Sequence, residues 1–400
     1  MTVSSARPRI LYVIASRGAG TGGHHFSLRD LSARMRAVAD VQIVTVANQF
    51  PPALRDVPDV TYLPHAPWRM AQTMAALLRL CRTFRPTVIH SYDAFALQMA
   101  RVLSVVLDIP LVHTQCGGPT ARTNVPRAPD VIVFSEENLS GLSAHPRMAG
   151  CRLHHIASRV EPVAPDLDRI AALRAHLRLA DGELVLMRVN RFVPAYEPVM
   201  RQTLTLAQTL RAAGLPVRAV LLGSPNEPEV VARIAALCAP GDTRVHDEVF
   251  TRRAAEVVAL SDVVVGTGRG LMEAASLGRP LFASLAERTL PAPVAPDTVE
   301  ALAGVNFSPR AVLPLDDKAL AARAVEICAD PQRRAAAGEY ARHLYETRFD
   351  VGAAVPKHLA IYAQAQPWPR RQAAEAFSDL GLNVAHEIYA RARLRLAAVR

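Results

Sequence analysis

Four hundred residues exceed the ~250–300 that one hydrophobic core ordinarily supports, so two domains are expected. Half the residues are hydrophobic and 20% are charged, which excludes a disordered chain. Lys plus Arg number 46 against 36 Asp plus Glu, a net charge of +10 that favours an anionic partner, while 5% aromatics argue against a nucleic-acid binder that works by stacking.

Short β-branched runs alternate with longer segments of helical period. Ile10–Ser16 reads as a strand, Phe26–Ala37 as a helix and Val41–Val46 as a strand. A helix over Ala71–Phe84, a strand over Thr87–His90, a helix over Ala94–Val106 and strands over Leu111–Gln115 and Val131–Ser135 follow. Helical patterns between strands mean βαβ units on a parallel sheet. After the Pro-rich stretch Glu161–Pro165 and a connecting helix over Arg169–Arg178, the pattern resets. Strands are expected over Leu184–Val189, Val217–Leu222, Arg244–His246, Val263–Val265 and Leu281–Ala283. Helices are expected over Met200–Ala213, Glu229–Cys238, Arg253–Leu260, Leu271–Leu277, Lys318–Ala329, Pro331–Arg348 and Val355–Ala363. Pro367-Trp368-Pro369 then breaks the chain before a last helical segment, Gln372–Arg400. The organisation read from these patterns is α/β: one domain over 1–165, a second over 166–365 and a tail over 366–400. Open parallel sheets hold ligands outside the carboxyl ends of their strands, so the loops there are searched for chemistry.

Cys81, Cys116, Cys151, Cys238 and Cys328 are odd in number and widely spaced, with no CxxC metal site or disulfide framework. A reducing cytosolic compartment fits that usage. The apolar run Ile10–Ala15 is too short for a secretory signal, and no stretch approaches the ~18–20 apolar residues that span a bilayer. The expectation is a cytoplasmic chain, soluble or attached at the inner face of a membrane.

The first strand runs into Arg17-Gly18-Ala19-Gly20-Thr21-Gly22-Gly23-His24-His25. Gly18-x-Gly20-x-x-Gly23 matches the dinucleotide fingerprint, with a strand before and a helix after. The NAD reading also needs an acid at the end of the second strand, and Thr45-Val46-Ala47-Asn48 supplies none. A flexible tight turn and a loop that contacts phosphate or sugar groups both stay open.

Val263-Val264-Val265-Gly266-Thr267-Gly268-Arg269-Gly270-Leu271-Met272-Glu273 reads as a buried strand, a glycine turn and a helix start. Glycines let the backbone approach a ligand, and amides at a helix start face an anion. Glu273 is expected in the first turn, where it either accepts hydrogen bonds from ribose hydroxyls or caps the helix.

Glu273-Ala274-x-x-x-Gly278-x-Pro280 resembles the donor-nucleotide motif of family 4 glycosyltransferases. That resemblance implies two facing Rossmann-like domains with parallel sheets, the glycosyltransferase type B fold, plus here a C-terminal helical tail. It implies that Glu273 holds the nucleotide ribose. The family's first glutamate, which holds the donor sugar, falls at Val265, a departure. Further matches are soft one by one but keep the family's order. Gly22-Gly23 with His24 resembles the first loop, near the acceptor and the donor phosphates, and His90-Ser91-Tyr92-Asp93 resembles the segment after a middle strand. Within Leu186–Phe192, Arg191 matches an arginine on the donor diphosphate, and the lysine five residues on is Tyr196. Leu221-Leu222-Gly223 matches the step that cups the base. Leu111–Pro119 carries Cys116 where a histidine is usual, with His113 nearby. That string and Asn306-Phe307-Ser308-x-Arg310 resemble a sub-branch acting on bacterial surface glycans.

The resemblance implies a retaining, metal-independent transfer from a UDP- or GDP-linked sugar to a glycan or lipid-linked acceptor. Arginine and helix amides stabilise the leaving diphosphate, and the diphosphate takes the acceptor proton. No metal or cofactor beyond the nucleotide-sugar is expected; Asp316-Asp317 reads as a helix cap. The implied donor contacts are Gly22, Gly23, Arg191, Gly223, Gly268, Arg269, Gly270, Leu271 and Glu273. Arg191, Glu273 and His113 are the catalytic candidates, and His24 and Asp93 the acceptor-side ones.

Phe377, Leu380, Val384, Ile388, Ala392, Leu396 and Val399 recur at helical spacing, with Arg391, Arg393, Arg395 and Arg400 between them. Such a basic amphipathic helix either lies on an anionic membrane through 372–400 or packs on the chain or a second subunit. Nucleic acid is not an expected partner. A catalytically silent binding or regulatory subunit of the same fold is the alternative function, on the departures at Val265, Tyr196 and Cys116. An epimerase would need an acid/base carboxylate pair that no motif supplies.

Overall fold

Parallel strands buried on both faces demand near-continuous apolar sequence, and RILYVIAS and LVLMRV open two such sheets. The computed structural model describes residues 7–16, 22–118, 125 and 127–398. The fingerprint positions Gly18 and Gly20, with Arg17, Ala19, Thr21 and Pro119, lie outside them.

The chain divides into two units, 1–159 with 351–400, and 160–350. The first contains β1 (Arg9–Ser16), β2 (Asp40–Ala47), β3 (Val60–Pro64), β4 (Val88–Tyr92), β5 (Leu111–Gln115), β6 (Asp130–Val133) and β7 (Arg152–His155). They run parallel in the order β3-β2-β1-β4-β5-β6-β7. Helices α1 (Gly23–Met35), α2 (Met70–Phe84), α3 (Ala94–Leu107) and α4 (Glu136–Ser143) connect them. Alternation along β1 feeds two cores: Leu11, Val13 and Ala15 enter one, and Ile10, Tyr12 and Ile14 enter the other.

The second unit contains β8 (Leu184–Val189), β9 (Val217–Leu222), β10 (Thr243–Val245), β11 (Val263–Gly266), β12 (Leu281–Ala283) and β13 (Ala292–Pro293). Their order is β10-β9-β8-β11-β12-β13, parallel except for β13. Around them lie α5 (Leu167–Leu177), α6 (Glu197–Ala212), α7 (Pro228–Ala235), α8 (Glu248–Thr251), α9 (Arg269–Ser276), α10 (Val299–Gly304), α11 (Asp317–Ala329) and α12 (Pro331–Leu344). The helix expected over Pro331–Arg348 instead ends in a π-helical turn at Tyr345–Phe349. Asp316 caps α11 by accepting from the Ala319 N–H at 2.8 Å.

The chain then returns to the first unit as α13 (Ala354–Gln364) and α14 (Ala373–Ala398). Residues 351–365, expected with the second domain, belong here because Val351, Ala354, Ile361 and Tyr362 fill the core around Tyr12. Tyr362 Oη lies 2.7 Å from His90 Nδ1, and His90 Nε2 lies 2.7 Å from Thr114 Oγ1. On the other core, Ala376, Leu380 and Val384 of α14 pack, together with Trp368. Acids on that helix meet bases of the unit: Asp379 accepts from Arg101, Glu375 from Arg127, and Glu387 pairs with His65 at 2.8 Å. The expected apolar stripe is therefore split. Leu380 and Val384 pack inward while Phe377 and Ile388 stay exposed, as does Tyr389 outside the stripe. The side chains of Arg395, Leu396, Val399 and Arg400 fall outside the described residues.

Candidate functional site

In the second sheet the strand order reverses between β8 and β11, the point where open α/β sheets hold ligands. Gly266 ends β11, and Thr267 and Gly268 lead into α9. Gly268 takes φ 52°, ψ −129°, a conformation natural to glycine, and caps α9 without a side-chain hydrogen bond. Its N–H donates to the Phe307 carbonyl at 3.0 Å. Asn306 and Phe307 both have positive φ, 58° and 53°, so two strained non-glycine residues brace the turn. The motif Asn306-Phe307-Ser308 is thus part of this site.

Gly270 is exposed, and a Cβ there would meet nothing within 4 Å. Leu271 is different: its side chain is buried and its N–H donates to the Gly268 carbonyl at 3.2 Å. Glu273 lies in the second turn of α9, not the first, and caps nothing. Its carboxylate accepts from Arg269 Nε at 2.7 Å, with side chains 23% and 10% exposed respectively. Arg269 is held against the helix by that pair.

Gly223 follows β9. Its N–H donates to the Val245 carbonyl at 3.0 Å, and its own carbonyl lies 2.7 Å from His246 Nδ1. A Cβ there would stand 1.6 Å from the Asn190 carbonyl oxygen, so only glycine lets the two strand ends come together. Arg191 is exposed, its guanidinium 5.8 Å from the Tyr196 ring centroid.

The sequence motifs pass over one residue, Arg188. It is 3% exposed and donates to Asn190 Oδ1, the Val265 carbonyl and Thr267 Oγ1 at 3.2, 3.3 and 3.4 Å. Burial lowers its guanidinium to about 10, opposed by the nearby Tyr196. A single cation inside the apolar run LVLMRV is the signal that marks it.

In the first sheet the order reverses between β1 and β4. Asp93 sits there at φ 76° and caps α3. Its carboxylate accepts from the N–H groups of Ala15, Phe95 and Ala96 at 2.7, 3.0 and 2.9 Å. Gly22 caps α1, Gly23 is exposed, and the His24 and His25 rings stand 4.1 Å apart. Burial lowers the His24 imidazole. Burial, with repulsion from His24, lowers His25 to about 3. His113 is fully enclosed in β5, 3.0 Å from Ser91 Oγ, and burial with repulsion from Arg101 lowers it to about 3. A neutral imidazole so enclosed packs the sheet; it offers no face to an acceptor. Burial pushes the Cys116 thiol up, which suits a packing residue. Among the described residues, no group of three His, Cys, Asp or Glu side chains is placed to hold a metal ion.

No protein-family model and no curated protein matches the chain. Solved structures do match it. HepE from Anabaena, in complex with UDP and glucose, is 19% identical over 89% of this chain and 100% of its own, with a TM-score of 0.65. A glycosyltransferase from Rickettsia africae is 13% identical over 90% and 98%, with a TM-score of 0.67. Sucrose-phosphate synthase from Thermosynechococcus elongatus is 17% identical over 89% and 98%, with a TM-score of 0.62. The chain has the glycosyltransferase type B fold.

In this type B chain, position 265 lies within β11 with its side chain fully buried in the core. Only its carbonyl reaches toward the site, as the acceptor for Arg188. Unit 2 therefore carries a glycine turn and Glu273 but presents no carboxylate at position 265.

Proposed function

We propose that this type B chain transfers a sugar from a UDP- or GDP-linked donor to a glycan or lipid-linked acceptor, in the biosynthesis of a bacterial polysaccharide. The observation that carries the reading is the uncapped start of α9 at the strand-order reversal of unit 2, with Glu273 one turn further along. Amides of the α9 start suit a diphosphate, and Glu273 suits ribose hydroxyls. HepE, on the same fold, is described with UDP and glucose.

As the bond to the sugar breaks, negative charge grows on the diphosphate. Arg191, Arg269 and the amide of the exposed Gly270 stabilise it. We propose a retaining outcome without a protein nucleophile, as the family resemblance implies, with the diphosphate taking the acceptor proton and no metal required. On unit 1, His24 at the start of α1 and Asp93 at the β4–α3 turn are the acceptor-side groups. Asp93 also locks that turn through the N–H groups of Ala15, Phe95 and Ala96, while His113 is enclosed within β5.

No helix among the described residues is long and apolar enough to cross a membrane. Exposed Phe377, Ile388 and Tyr389 on α14, with Arg391 stacked 5.4 Å from the exposed Trp68, favour attachment to an anionic membrane surface. A lipid-linked acceptor suits that placement at the cytoplasmic face.

Thermal shift with UDP, GDP and NAD tests the donor site: UDP or GDP raises the melting temperature and NAD does not. No shift with either diphosphate removes the reading. Release of nucleoside diphosphate from a panel of sugar nucleotides, with membrane extract as acceptor, then tests transfer. Val265, buried in β11, favours a second reading, a silent binding subunit, which binds nucleotide and releases none.

A further inference from the structure

The protein leaves one buried charge in unit 2 without a counter-ion. Arg188 stays protonated at neutral pH, yet its three acceptors, Asn190 Oδ1, the Val265 carbonyl and Thr267 Oγ1, are neutral and 3.2–3.4 Å away. Those distances are at the long end for such bonds. A guanidinium carries five N–H donors. Two of them have no acceptor among the described residues, and no carboxylate there pairs with the group. Burying an unpaired cation is costly.

Its place gives that cost a use. Arg188 is the penultimate residue of β8, beside β11, where the strand order of the sheet reverses. Two of its three acceptors lie at the end of β11 and on Thr267, the first residue of the glycine turn. A Cβ on Gly266 would stand 3.4 Å from Nη1, so the glycine keeps the backbone close to the cation. The turn leads into the uncapped start of α9, whose dipole adds to the same field. Tyr196, where the resemblance expects a lysine, is near enough to act on Arg188.

We infer that Arg188 is the buried cation of a diphosphate site on unit 2, holding the phosphates of a nucleoside diphosphate with a fixed charge that Tyr196 does not supply. The inference rests on the donor-site reading and adds a residue to it. A competing role as a strut between β8 and β11 predicts a different pattern: losing the strut would loosen the fold and weaken every ligand alike.

The test titrates wild type, Arg188→Met and Arg188→Lys calorimetrically with UDP, GDP, the matching nucleosides and inorganic pyrophosphate, beside ligand-free melting. Arg188→Met melts no lower than wild type, because an uncompensated charge has gone. It keeps nucleoside affinity but binds the diphosphate and pyrophosphate about tenfold or more weakly, the loss expected for a charge-assisted hydrogen bond. Arg188→Lys falls between. Unchanged diphosphate affinity in Arg188→Met, or an equal loss for nucleoside and diphosphate, overturns the inference. If Arg188→Met does not fold, Arg188→Lys decides. It must weaken UDP or GDP and pyrophosphate more than nucleoside, and equal effects overturn the inference. Wild type that binds pyrophosphate but no nucleotide, with Arg188→Met losing it, overturns the donor-nucleotide reading and leaves the cation standing. Wild type that binds none of the probes overturns both.

Discussion

Arg269 donates its Nε–H to Glu273 at 2.7 Å, one helical turn away on α9. The pair holds the carboxylate in place beside the glycine turn. Isolated helix pairs at this spacing contribute only about 0.3–0.5 kcal/mol, so its value to folding is small and its value to geometry is larger. Glu273→Ala and Glu273→Gln are expected to lower UDP or GDP affinity about tenfold while stability moves by about 0.5 kcal/mol or less. Calorimetric titration and urea unfolding check this; a variant that unfolds readily but binds normally would return Glu273 to a structural role.

Gly223 and Asn190 bring the ends of β9 and β8 together. Gly223→Ala forces a Cβ to within 1.6 Å of the Asn190 carbonyl oxygen, which is backbone and has no rotamer to escape into. Overpacking of this kind costs typically 1–3 kcal/mol and here is expected at or above that range. Urea denaturation reads it directly. A variant within about 0.5 kcal/mol of wild type would mean that the strand ends are looser than described.

His25, His90, His113 and His358, four of the buried imidazoles, lie in the unit built on the first sheet. Burial, aided by neighbouring positive groups, depresses all four: His25 and His113 to about 3, His358 to about 4, and His90 well below the ordinary range. The unfolded chain binds protons near pH ~6.5, where the folded one does not. Their stabilising contribution is therefore present above pH ~6.5 and lost as pH falls toward the folded values. Each is worth about 1.4 kcal/mol per pH unit in that window. Hydrogen exchange of β1, β4 and β5 amides at pH 7.5 and pH 5 should show this unit opening first on acidification. Equal protection at both pH values would sink the prediction.

Exposed Phe377, Ile388 and Tyr389 of α14 make no contribution to the core, so replacing them with serine is expected to leave melting nearly unchanged. Sedimentation with anionic liposomes should fall by at least half if that face lies on a membrane. An undiminished pellet ends the membrane proposal without touching the donor site.

Much of the fold is legible because buried parallel strands are written as apolar runs: Ile10–Ser16, Leu184–Val189 and Val217–Leu222 fall on β1, β8 and β9. β3 and β7 were not legible, since VTYLP and RLHH are half-buried and carry no clean period. α4 is announced by its cap, the Ser135 Oγ accepting from the Asn138 N–H at 3.3 Å ahead of Glu136 and Glu137, but is too short for periodicity. Helical spacing also says nothing of which sheet a helix covers, so Val351–Tyr362 read as part of the second domain. At the site, Gly268 and Glu273 are visible as motif. The need for glycine at 223 and the charge at 188 exist only once β8, β9 and β11 lie side by side.

Val160 donates its N–H to the Phe349 carbonyl at 3.0 Å and bridges to Asp350, so the stretch bounded by the two crossings begins and ends at one spot. Topologically it is a cassette threaded into a host whose sequence resumes at Val351. Entry and exit points that touch are those that tolerate excision and rejoining. Residues 160–350 are expected to fold on their own when excised, and the host to fold when closed over the gap with a few glycines.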